Sequence, residues 1–199
     1  PGRHRIRFSS IEPGHIGDDL LDIVASSERI CRHFHVPLQS GSDSVLKAMR
    51  RDYSARGFED LIRKIREKMP SVGITMDVIA GFPGETRKDH EMTLDLIGRT
   101  RPSRLHVFKY SDRKGTAASR MNGKVSDKLA KERVNRLISE GRDLQEDFAR
   151  SFLGREVEVM VENTPRKGCL EGYTGEYVRL KLEGCKAEKG DIVTVKATG

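Results

Sequence analysis

"MDVIAGFPGETRKDH", residues 76–90, sets an apolar run against Gly-Phe-Pro-Gly and follows it with an acidic, polar stretch. "GITMDVIAG" (73–81) reads as a strand, and Thr86 as a helix cap with Asp89 three residues on as its capping-box partner. A Walker loop requires Gly-Lys-Ser/Thr, which "GFPGETRK" lacks, and the dinucleotide fingerprint requires G-x-G-x-x-G, where this stretch has only Gly81 and Gly84 around Phe-Pro. A glycine at a strand end lets a flat ligand approach the backbone closely. On the residues alone the stretch is either the rim of a cofactor site or a tight turn.

Working outward, "RIRFSSIEP" (5–13) and "CRHFHVPLQSG" (31–41) read as strands, and "HIGDDLLDIVASSE" (15–28) between them as a helix. "SVLKAMR" and "SARGFEDLIRKIREKMP" follow as helices, the second with Phe58, Leu61, Ile62, Ile65 and Met69 on one face and Pro70 as its stop. "RLHVFKYS" (104–111) is a fourth strand. Strands separated by helices predict βα units and a parallel sheet. A long helix runs from Ser126 to about Ser151, with Val134, Leu137, Leu144 and Phe148 among its apolar positions, and Gly154 marks a boundary. Beyond it "REVEVMVE", "EYVRLKLEG" and "DIVTVKATG" alternate at period two, which predicts a small all-β, OB-like barrel. The expected domains are therefore 1–151 and 152–199.

Ligands of parallel α/β sheets bind at the carboxyl ends of the strands. Alternation sends Phe34, Val36, Leu38, Ile74, Met76 and Val78 toward the helices. It leaves His33, His35, Gln39, Thr75, Asp77 and Ile79 on the opposite face, and His106, Phe108 and Tyr110 share one face of the fourth strand. An inner face this polar predicts a sheet open around a substrate.

The formal net charge is +7, and its source is local: residues 99–150 carry 14 Lys/Arg against 7 Asp/Glu, while the segments on either side balance. Such a segment is either a site for a polyanion or a solvated helix face. Cys31, Cys169 and Cys185 are far apart and form no CxxC pair, which predicts free thiols in a reducing cytoplasm and no metal or cluster site built within the chain. No secretory signal and no apolar run of membrane-spanning length is present.

Taken together, "RIRFSSIEP", "HFHVPLQSGSDSVLKAMRRDYS", "MDVIAGFPGET" and "HVFKYSDRKGTAASRM" resemble the radical S-adenosylmethionine methylthiotransferases, in order and spacing, over nearly the whole chain. The tail, with "GREVEVMVE", "GYTGEYVRLKL" and "GDIVTVKATG", looks like the TRAM module with which that family holds RNA. "RFSSIEP" and "HVFKYSDRKGT" look most like the branch acting on threonylcarbamoyladenosine in tRNA, beside the anticodon. The resemblance implies a partial parallel (βα) radical-SAM barrel, its later strands only, followed by a TRAM barrel. It implies S-adenosylmethionine and [4Fe–4S] clusters as cofactors, tRNA as partner, and transfer of a methylthio group to C2 of the adenine. By the same resemblance Ser9, Glu12, Gln39, Ser40, Asp77, Gly81 and Tyr110 are expected around S-adenosylmethionine and the substrate nucleoside. Lys109, Arg113, Lys114, Tyr173, Tyr177, Arg179 and Lys181 are expected on RNA, the tyrosines stacking on bases.

One departure is concrete: the family's CxxxCxxC motif, whose thiolates hold the radical cluster, is absent. With "PGRHRIRFSS" opening directly into a strand, the sequence predicts a piece of a longer enzyme, inactive by itself, whose cluster loop precedes Pro1. Two rivals stand beside this reading: a methylthiotransferase acting on an aspartate of a ribosomal protein, and an RNA-binding module without chemistry.

Overall fold

The computed structural model of this chain describes residues 4–163 and 170–198, so Cys169 lies outside the described residues. Three strands, β1 (His33–His35), β2 (Gly73–Ala80) and β3 (Arg104–Lys109), form a parallel sheet in the order β1-β2-β3. Parallel neighbours need crossovers. Helices α2 (Asp43–Ala48) and α3 (Ala55–Lys68) supply the first and α4 (Arg87–Thr100) the second, while α1 (Asp18–Ser26) precedes β1.

The alternation read from the sequence sorts β1 and β2 correctly. Phe34, Val36, Leu38, Ile74, Met76 and Val78 are fully buried and share one core with Leu21 and Val24 of α1, Phe58, Ile62 and Ile65 of α3, and Leu96 and Ile97 of α4. Each such side chain contributes about 1.5–3 kcal/mol by leaving water. The strand expected over 31–41 keeps three regular ladder residues, and past them Val36 and Leu38 still donate to the Thr75 and Asp77 carbonyls of β2 at 2.9 and 3.1 Å. Gln39 ends the run with a left-handed φ of 62°, donating to the Asp77 carbonyl at 2.8 Å and accepting from the Ile79 N–H at 3.0 Å. The strand expected over 5–13 is reduced further, to single parallel bridges pairing Ile6 with Ile30 and Ser10 with His35.

Helix α5 (Asp127–Arg150) crosses β3, with Leu137 and Leu144 in the shared core. Gly141 permits the contact, since a Cβ there would stand 2.8 Å from the Leu105 Cβ. Gly154, at φ 79°, then turns the chain into a four-stranded antiparallel sheet. Its strands β4 (Glu156–Asn163), β5 (Leu170–Thr174), β6 (Arg179–Leu182) and β7 (Ile192–Lys196) run in the order β6-β5-β4-β7 around Val159, Val161, Leu170 and Leu182. No helix among the described residues is long and apolar enough to cross a membrane.

The two sheets meet through the β5–β6 turn, which docks at the amino end of β2. A Cβ on Gly73 would lie 1.9 Å from the Glu176 carbonyl oxygen, so only glycine fits. Arg7 donates to the carbonyls of Gly175 (3.1 Å) and Thr174 (3.0 Å) and lays its guanidinium 4.4 Å from the centre of the Tyr177 ring. Tyr177 holds a left-handed φ of 74°, uncommon for a bulky residue, and its ring stacks on Tyr173 at 4.6 Å and meets His33 at 4.9 Å. Substitution Gly73→Ala is expected to lift this turn at a cost of about 1–3 kcal/mol. Hydrogen exchange in β5 and β6 should accelerate while the α3 amides stay protected; unchanged exchange in β5 and β6 would contradict the docking.

Candidate functional site

The inner face of the parallel sheet carries the polar set that alternation predicts. Asp77, in β2, accepts through one oxygen, Oδ1, from His35 Nε2 at 2.8 Å and from His106 Nδ1 at 3.2 Å, so β1, β2 and β3 each contribute one member. One layer toward the amino end, His33 Nε2 bonds Thr75 Oγ1 at 2.8 Å. Burial, reinforced by the charge of Arg7, holds the His33 ring neutral with its pKa pushed down to about 3. The unfolded chain therefore binds this proton more tightly, and the fold loses stability as pH falls below the free imidazole value.

At the carboxyl ends, the two motif loops are tied to one another. Asp89, in the first turn of α4, loses some acidity to burial. Hydrogen bonds more than restore it, and the pKa falls to about 2. Its donors are the Ser42 and Ser44 hydroxyls and both the N–H and the hydroxyl of Thr86, at 2.5, 2.8, 2.8 and 2.6 Å. The predicted capping box is thus present, and its carboxylate does a second job on the loop after β1. Ser40 belongs to the same region: it is buried, accepts from the Ser42 N–H and sits 3.4 Å from the Thr93 hydroxyl. Gly41 donates to that hydroxyl at 2.9 Å, and a Cβ on it would meet the Thr93 Cα at 2.6 Å.

The Gly-Phe-Pro-Gly turn is held from inside the protein. Gly81, at φ 81°, faces Ala130 of α5, whose Cβ would be 2.7 Å from any Cβ placed there. Its N–H donates to Glu85 Oε2 at 2.7 Å, and the same oxygen receives Arg133 Nη1 at 2.6 Å. Both members of this pair are buried, with side chains 2% and 5% exposed. Burial raises the Glu85 pKa against the pull of the Gly81 N–H and Arg133. Glu85 reads in sequence as a helix start. Its partner is 48 residues away, and no local pattern announces it.

The remaining expected residues divide. Tyr110 is half-buried at the end of β3, edge-on to Phe82 at 5.3 Å and bonded to Asp112 at 2.8 Å. Ser9 is exposed, and Glu12 is paired with Arg51 at 2.8 Å, away from the trio. Much of the basic excess of 99–150 is neutralised in place, by Lys109–Asp127, Lys124–Asp112, Lys131–Asp127, Arg136–Glu91 and Arg101–Asp147. Arg113 and Lys114, in the loop after β3, are exposed and have no acidic partner among the described residues. In the small sheet Arg179 pairs with Glu171 and Lys181 is exposed. The Tyr177 ring is already covered by Arg7 on one side and Tyr173 on the other, so it supports Tyr173 and has no free face for a base.

S-adenosylmethionine, an amino acid joined to a ribose and a purine, suits polar strand ends of this kind. A [4Fe–4S] cluster does not fit the described cysteines: Cys31 is buried beside the amino end of β1 and Cys185 belongs to the small sheet's core.

Residues 2–97 match the family model for the radical SAM superfamily. That stretch belongs to the radical SAM superfamily. The chain is 39% identical over 199 residues to the threonylcarbamoyladenosine tRNA methylthiotransferase MtaB of Bacillus subtilis, covering 98% of this chain and 44% of that protein. The enzyme of the same name from Thermotoga maritima is 38% identical, covering 99% of this chain and 45% of its own length. The tRNA-2-methylthio-N(6)-dimethylallyladenosine synthase of Alkaliphilus oremlandii is 34% identical, at 98% and 42%. The chain thus spans less than half the length of these relatives. Its fold is also that of Escherichia coli coproporphyrinogen III oxidase (HemN), a radical SAM enzyme, with a TM-score of 0.58 at 16% identity, covering 86% of this chain and 46% of that one.

Two outcomes are expected from the buried carboxylates. Asp89→Asn should cost about 2 kcal/mol at pH 7, and the difference should shrink as pH falls from about 4 to about 2, because a carboxylate with a depressed pKa stabilises only while ionised. Urea titrations at the two extremes read this directly. Arg133→Met and Glu85→Gln should each cost about 3–5 kcal/mol, because each leaves the other member buried without its counter-charge; urea titration reads both.

Proposed function

We propose that this chain forms the later strands of a radical-SAM barrel and a TRAM-type RNA-holding module, residues 1–151 and 152–199, of a tRNA methylthiotransferase. The transferred group is methylthio and its acceptor C2 of N6-threonylcarbamoyladenosine beside the anticodon. One observation carries this reading: identity of 38–39% to two enzymes named for that nucleoside extends over 98–99% of the chain, and so over both the parallel and the antiparallel sheet. S-adenosylmethionine, reductively cleaved at a [4Fe–4S] cluster, supplies the hydrogen-abstracting radical of such enzymes. The cluster's ligands lie outside these 199 residues, so the chain by itself has no methylthiotransferase activity.

What these residues contribute is shape and contact. The Gly81 turn, fixed by Glu85 and Arg133, and the Gln39–Ser40 loop, fixed through Asp89 and Thr93, form the rim that receives S-adenosylmethionine, with Tyr110 on the nucleoside side and Ser9 and Glu12 at its edge. Arg113 and Lys114, unpaired and exposed, contact phosphates, as do Lys109, Arg179 and Lys181 after exchanging their carboxylate or water partners. Tyr173, braced by Tyr177, offers a face to a base.

A second reading has its own support: the 34% identity to a dimethylallyladenosine enzyme over almost the same span. Nucleoside analysis of tRNA from a strain lacking the gene separates the two. Loss of 2-methylthio-threonylcarbamoyladenosine is the expected result, loss of the dimethylallyl counterpart would transfer the assignment, and an unchanged profile would end both. In tRNA titrations across salt, Arg113→Ala and Lys114→Ala should each flatten the dependence of log K on log[salt] by about 1.

A further inference from the structure

We propose that His35, Asp77 and His106 form a binding site for a single divalent transition-metal ion. The proposal stands on these three side chains alone and is independent of the methylthiotransferase reading.

The three strands bring one ligand atom from each residue within 4.8 Å of the other two. Both imidazoles already converge on a single carboxylate oxygen, at 2.8 and 3.2 Å, and their rings lie edge to face at 89° with centres 5.4 Å apart. The bonding nitrogens, His35 Nε2 and His106 Nδ1, are thus both directed at one point. An ion held at the usual 2.0–2.2 Å from nitrogen and oxygen places neighbouring tetrahedral ligand atoms about 3.4 Å apart. The two nitrogen–oxygen separations fall short of that by about 0.6 and 0.2 Å, an opening of the cluster expected when a cation takes the place of two shared protons.

Charge points the same way. The Asp77 side chain is 19% exposed, and no lysine or arginine among the described residues pairs with it. Among the described residues its side-chain partners are the two imidazoles. A half-buried carboxylate so placed is poorly balanced without further positive charge, and a divalent ion supplies it. The Asp89 carboxylate differs on this point, being saturated by four donors.

The ligand set also selects the ion. Two imidazoles and one carboxylate suit Zn²⁺, Co²⁺ or Fe²⁺; Mg²⁺ and Ca²⁺ require oxygen-rich shells. Three protein ligands leave at least one position for water or an incoming anionic group. No described side chain bonds the far nitrogen of either ring, so the affinity should fall below that of a structural zinc centre. The absence of CxxC pairs excludes a thiolate site and leaves this one untouched.

The test is titration of chelator-treated protein with Co²⁺, followed by its visible d–d absorption, with Zn²⁺ displacement measured by calorimetry. One equivalent per chain is expected. His106→Gln, at a side chain 36% exposed, should preserve the circular dichroism spectrum and weaken binding about a hundredfold or more, as should Asp77→Asn. His33→Gln, one layer away, should leave binding unchanged. Absence of stoichiometric binding, or binding that survives His106→Gln, overturns the proposal.

Discussion

Asp89 is the group on which the geometry of the strand ends depends. Its carboxylate receives four donors from two loops far apart in sequence, the one after β1 and the one after β2. A carboxylate can accept about this many hydrogen bonds, so it has no capacity left for a ligand. The consequence is positional. Ser42, Ser44 and Thr86 can move only together, and Gly41 and Thr93 are locked beside them by a contact too close for any side chain. The Glu85–Arg133 pair plays the matching part for the next turn, fastening it to α5.

Much of this was legible in the sequence because it follows local periods. Alternation assigned the buried and inner faces of β1 and β2, and spacing found the Thr86–Asp89 capping box. The misses share a cause. The strand expected over 5–13 has the right composition but meets its neighbour only at two bridges, because ladder length depends on a partner that composition does not reveal. Arg133 sat in a charge-rich helix that looks solvated, and only a contact across 48 residues shows it to be buried. Tyr177 is expected by resemblance to stack on a base, within a segment that alternates like a strand. It stands in a turn, in a backbone conformation no propensity scale would give a tyrosine, held by Arg7 and His33.

The charge pattern tells a similar story. An excess of basic residues across 99–150 reads as one patch, yet helix α5 and β3 spend most of it on carboxylates of their own neighbourhood. Among the described residues, those of this segment without an acidic partner are Arg113 and Lys114 in the loop after β3, with Arg104, Arg120, Lys128 and Arg142 outside it. Net charge located the region; pairing narrowed it to a few side chains.

The docking of the β5–β6 turn against Gly73 fixes a distance. Strand β2 runs from that contact to Ala80, seven residues later, where the Gly81 turn begins. At about 3.3 Å per residue its two ends are roughly 23 Å apart. A free nucleoside is far shorter than this span and can occupy one end or the other. Only a ligand at least this long touches the carboxyl-end loops and the docked β5–β6 turn at once, so the docking turns the length of one strand into a ruler between the two sheets.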